Sequence, residues 1–171
     1  MKKTALLLSA IIALTFFSCK KEYRFYGFDI EETISVNIPK DSINFNTEES
    51  IDIYFDNILE EKGSSAELVE SISFEDITLS EGDYLKINEA EFHISAEGMD
   101  KLLVAAESDS TFQTFGYTGF VYKIPGINEH VTDYVKKSKI NFFVEGDLLT
   151  AQEDDISLEF TFRFRVFTYV K

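Results

Sequence analysis

Tryptophan is absent from these 171 residues, and cysteine occurs once. A single cysteine excludes an internal disulfide, and with it a fold stapled by cross-links. Histidine is almost as scarce, with only His93 and His130. Neither stands in an HxH or HExxH pattern, so a zinc site has no support in the sequence. The chain also lacks a Gly-x-Ser-x-Gly elbow and a glycine-rich phosphate loop, the signatures of a serine hydrolase and of a nucleotide cradle. Basic residues are few: 16 Lys and Arg stand against 31 Asp and Glu, for a net charge of −15. Nucleic acid is disfavoured as a partner, because its binding requires cations that displace counterions from phosphate. After the first 18 residues, no apolar run reaches the roughly 20 residues that a spanning helix needs.

What the chain has is aromatic and alternating. Aromatics make up 15% of it, with 17 Phe and 8 Tyr. These residues suit a pleated, half-buried surface. From Ile156 to Val166 the residues Ile156, Leu158, Phe160, Phe162, Phe164 and Val166 alternate with Ser157, Glu159, Thr161, Arg163 and Arg165. That period of two predicts a long strand with an aromatic core face and a charged outer face. Similar alternation predicts strands over Thr33 to Ile38, Ser42 to Phe55, Leu68 to Leu79, Glu91 to Ala96 and Ile140 to Val144. The phase slips at Glu75-Asp76, as a β-bulge requires. Lys101 to Ala106 is apolar enough for a central strand covered on both faces. Asp56 to Ser65 is polar and predicts a loop with at most a short helical turn. Val131 to Lys137 predicts a short helix capped by Thr132. Many short strands and little helix predict an all-β fold, an antiparallel β-sandwich that is immunoglobulin-like in the loose sense. A closed β-barrel is the alternative.

The N-terminus reads differently. Met1-Lys2-Lys3 is basic, and Thr4 to Ser18 is a mostly apolar run too short to span a membrane. It ends in Phe16-Phe17-Ser18-Cys19. This stretch resembles the lipobox of bacterial lipoproteins, with a small residue before the invariant cysteine and Phe16 where Leu is usual. With the following Lys20-Lys21 it is most similar to lipoproteins of the Bacteroidota, whose β-rich members the remainder of the chain also resembles. The resemblance implies cleavage between Ser18 and Cys19, a diacylglyceryl group on the Cys19 sulfur and an acylated amino terminus. It also implies an outer-membrane anchor, with the domain facing the periplasm or the cell surface. The expected organisation is a signal peptide over 1–18, an acylated cysteine and tether over 19–28, and one domain over 29–171. Loss of Lys2 and Lys3 with the leader takes the charge from −15 to −17.

Four further features are candidates for chemistry. Asp147, Glu153, Asp154 and Asp155 lie in an acidic stretch and are candidate calcium ligands, although their spacing is not that of an EF-hand and a solvated loop is the plainer reading. Asp41-Ser42-Ile43 and Asp109-Ser110-Thr111 resemble the O-glycosylation acceptors of Bacteroidota, with Ser42 and Ser110 as the acceptors. Phe112, Phe115, Tyr117, Phe120 and Tyr122, around Gly116 and Gly119, offer either a stacking surface or core. His93 alternates with Phe92 and Ile94, so it points away from the core. No catalytic residue and no cofactor emerge. The expected function is a non-enzymatic binding or assembly module for a protein or glycan ligand, held on a membrane by lipid. A small hydrolase built on two carboxylates and a surface or pilus subunit are the alternatives.

Overall fold

A computed structural model describes residues 24–80, 86–108, 121–127 and 130–170. Eight strands form two four-stranded sheets. They are β1 (Arg24–Ile38), β2 (Asn44–Asp52), β3 (Val69–Ser80), β4 (Ile87–Ala96), β5 (Leu102–Ser108), β6 (Val121–Pro125), β7 (Lys139–Leu148) and β8 (Ile156–Val170). The first sheet has the order β1-β8-β3-β6 and the second β2-β7-β4-β5. The expected antiparallel sandwich is present, and the sheets do not close into a barrel.

The pairing obeys a simple rule. β1 pairs with β8, β2 with β7, β3 with β6 and β4 with β5, all antiparallel. The chain is therefore one long hairpin, β1 to β4 laid against β5 to β8 and rolled so that β3 also meets β8 and β4 meets β7. This connectivity is that of a jelly roll. The immunoglobulin likeness holds only at the level of two packed antiparallel sheets.

β8 lies inside the first sheet, and its apolar phase forms the centre of the core. Leu158, Phe160, Phe162, Phe164 and Val166 are all fully buried. Phe162 meets Phe74 from its own sheet and Phe92 and Phe142 from the other, with ring centroids 6.2, 6.0 and 4.8 Å away in edge-to-face arrangements. The bulge expected in β3 is present as a register shift between Phe74 and Asp76. It turns Asp76 toward β8, where Arg163 binds it through Nε at 3.1 Å and through a second guanidinium nitrogen. Arg165 grips Asp29 on β1 at 2.8 and 3.1 Å. Arg163 also lies 3.6 Å from Asp29, and Lys123 lies 3.6 Å from Asp76. The polar phase of β8 is thus stitched to both neighbouring strands.

Several local expectations change. Arg24 to Phe28, expected as tether, is the first part of β1 and pairs with Val166 to Val170. The stretch expected as a loop holds a helix, α1 (Phe55–Glu61), which buries Phe55 and Leu59. It stops at Gly63, whose φ of +73° suits glycine. The helix expected over 131–137 is a single turn, α2 (Thr132–Val135). Thr132 does not cap it. Its hydroxyl instead bonds the backbone of Ile72 in β3, and Ser138 with φ of 62° ends the segment. β5 is an edge strand, not a central one. Among the described residues, no helix is long and apolar enough to cross a membrane.

The edges carry charge where a core residue would stand. On β1, Glu32 occupies the inward phase between Ile30 and Ile34, opposite Phe162. Its burial raises the carboxyl above the usual range. On β5, Glu107 faces inward opposite Ala90 and is 6% exposed. An inward carboxylate on an edge strand opposes the addition of a foreign strand.

Candidate functional site

Among the described residues, four carboxylates gather on the outer face of the second sheet. Alternation in β4 buries Ala90 and Phe92 and sends Glu89 and Glu91 outward. The register then sets Glu89 opposite Asp147, and Glu91 opposite Glu145. Two full rungs result. One reads Asn44, Asp147, Glu89, Ser108 and the other Asn46, Glu145, Glu91, Ala106. The short side chains at the β5 end leave a groove of about 660 Å³ lined by these residues. Its floor comes close to the backbone at Gly146, where a Cβ would fall 2.3 Å from the Glu89 carbonyl oxygen and 2.6 Å from the Phe45 ring. Only glycine fits there.

Like charges directly across a ladder destabilise it. Two contacts offset part of this cost. The Asn88 amide donates to both Asp147 oxygens at 3.3 and 3.2 Å. Lys101 pairs with Glu145 and lies 4.7 Å from the centre of the Phe143 ring. The Lys101 ammonium holds the Glu145 carboxyl below the usual range.

His93 follows Glu91 by two residues on β4. It is on the outer phase, as expected, but opposite Phe143 it is only 15% exposed. Its Nδ1 is buried with no hydrogen-bond partner, and its Nε2 lies 3.8 Å from Glu91. Burial, then the nearby Lys101 charge, push its pKa down, so the ring is neutral at pH 7.

The calcium candidates are dispersed. Asp147 belongs to the groove, Asp155 accepts from the Lys40 backbone N–H at 2.9 Å, and Glu153 and Asp154 are exposed. Among the described residues, no group of three or more His, Cys, Asp or Glu side chains is placed to hold a metal ion. Ser42 sits between β1 and β2 and donates to the Asn44 carbonyl at 3.1 Å. His130 borders a separate recess with Ser71, Ser73 and Glu75, in which the Ser73 hydroxyl donates to Glu75 at 2.8 Å. Ser18, Cys19, Ser110, Phe112, Phe115, Gly116, Tyr117, Gly119 and Phe120 lie outside the described residues.

Neutralising the groove tests its cost. Glu89→Gln with Glu91→Gln removes both like-charge pairs and should raise stability by about 0.5–1 kcal/mol, read as a higher urea midpoint. A lower midpoint would show that these carboxylates stabilise the fold.

No known protein family matches the sequence, and no curated protein matches it. Among solved structures, a chain of desmodium yellow mottle tymovirus is similar at 7% identity, over 85% of this chain and 90% of that one, with a TM-score of 0.22. A TM-score that low carries no conclusion.

Proposed function

We infer that the protein is a lipid-anchored lipoprotein of a bacterial envelope, whose sandwich serves as a non-enzymatic binding module. The observation that carries this reading is Phe16-Phe17-Ser18-Cys19 after a basic start and a short apolar run. The start of β1 at Arg24 supports it, because a domain that begins just after the cysteine needs no stalk. The binding part rests on the groove. Its rungs of carboxylate and amide have the chemistry to receive a cationic group on a protein or glycan partner. The inward Glu32 and Glu107 argue against a pilus subunit assembled by strand addition.

Lipid attachment is directly testable. One acyl chain binds a membrane reversibly and two or more hold it stably, at about 0.8 kcal/mol per buried methylene. The wild type should therefore stay with membranes through carbonate and salt washes and incorporate labelled palmitate. Cys19→Ala should do neither. A Cys19→Ala protein that still resisted the washes would end this reading.

A further inference from the structure

The chain leaves three aromatic side chains uncovered on two adjacent rungs at one end of the sandwich. Phe25 is 57% exposed, Tyr26 44% and Tyr169 38%. Phe25 pairs with Tyr169 across the β1–β8 ladder on one face of the sheet, and Tyr26 pairs with Thr168 on the adjacent rung, on the other face. The cluster is rigid. Phe25 stacks on Phe167 with centroids 5.7 Å apart and meets Tyr169 edge-on at 5.5 Å. The Tyr169 hydroxyl is tied to Glu70. Tyr26 stacks on Phe28, whose ring lies beneath Lys62. Exposed rings on both faces of one sheet end usually meet something.

Their position in the chain says what. Arg24 follows Cys19 by five residues, a reach of at most about 18 Å at 3.3–3.6 Å per residue. The opposite end of the sandwich, with Ile43 and Leu149, lies the length of β1 away, about 50 Å for 15 residues. If Cys19 is in a bilayer, only the aromatic end reaches it. Aromatic rings with a polar edge favour the lipid headgroup layer, tyrosine among the most.

We propose that Phe25, Tyr26 and Tyr169 form a tip that rests in the headgroup layer of the same phospholipid surface that holds Cys19, standing the sandwich upright with its acidic groove along the side. The proposal rests on the lipid-anchor reading. Lys62 lies over Phe28 at the tip and follows Glu60 and Glu61 in the chain, so rings, not net charge, carry the contact, and anionic lipid is not required.

The absence of tryptophan makes the test clean. Full-length acylated Phe25→Trp and Leu149→Trp proteins, each with a sole tryptophan, are reconstituted into phosphatidylcholine vesicles with or without bromines near the glycerol end of the acyl chains. Emission from Phe25→Trp should shift to the blue on reconstitution and be strongly quenched by bromine, at low and high salt alike. Emission from Leu149→Trp should do neither. Co-flotation of the protein with the vesicles and no quenching of Phe25→Trp would overturn the tip and leave the anchor intact. Equal quenching at both positions would overturn the upright pose. Failure to co-float would overturn both the anchor and the tip.

Discussion

Phe162→Ala should destabilise the domain by about 3–5 kcal/mol, the range for removing a fully buried phenylalanine. Phe162 is the ring at which the two sheets meet. It is fully buried and touches Phe74, Phe92 and Phe142 edge-to-face. Truncation removes the apolar area and also leaves a cavity walled by three rings that belong to strands fixed by their own ladders. Those walls cannot collapse without breaking register. A domain of this size has about 5–15 kcal/mol in total, so the loss consumes a large share. At about 2–4 °C per kcal/mol the melting temperature should fall by about 6–20 °C. Ile43→Ala, at an exposed position, should move it little. A Phe162→Ala melting curve superimposable on wild type would contradict the core described above.

Asp76→Ala comes second, at about 2–3 kcal/mol. Asp76 is 7% exposed and receives two bonds from Arg163. Without it, a guanidinium that is 21% exposed keeps only Asp29 at 3.6 Å. Asp76→Asn retains an acceptor and should lose less. Equal losses in both variants would mean that shape, not charge, matters at the bulge. Acid should dismantle the same network. Hydrogen bonding to Arg165 lowers the Asp29 carboxyl below its ordinary 3.8. Its stabilisation is complete above that value and is lost as pH falls through the folded pKa. His93 adds an earlier step. Its folded pKa lies below the ordinary 6.5, so as pH drops past 6.5 the unfolded chain takes up a proton that the folded chain resists. Urea titrations should show a shallow loss starting near pH 6.5 and a steeper one below about pH 4. Asp29→Asn should blunt only the second.

β8 was legible because one face of it is uninterrupted: six apolar residues in phase need no partner to be recognised. The Glu75-Asp76 bulge was legible for the same reason, since a phase slip is local. α1 was hidden by its polar face, though Phe55, Ile58 and Leu59 carry helical spacing in plain view. β5 was misplaced because Leu102 to Ala106 records apolar content and not which flank is covered. The groove was out of reach. Glu89 and Glu91 stand more than fifty residues from Glu145 and Asp147, and only the β4–β7 register brings them together. Cross-strand alignment is a property of the pairing, and a one-residue slip would have scattered those carboxylates to the core side.

The rolled hairpin also sets an order of events. β4 and β5 are separated by residues 97–101, whereas β1 and β8 enclose everything from 39 to 155. Closing the larger loop directly costs about 3 kcal/mol more in chain entropy than closing the smaller. Nucleation is therefore cheapest at the β4–β5 turn, and each later pair is brought close by the one inside it. Topologies dominated by such distant pairings fold on the slow side, in milliseconds to seconds. β1, the strand nearest Cys19, is the last to find its place, and until β8 covers it the aromatic tip does not exist.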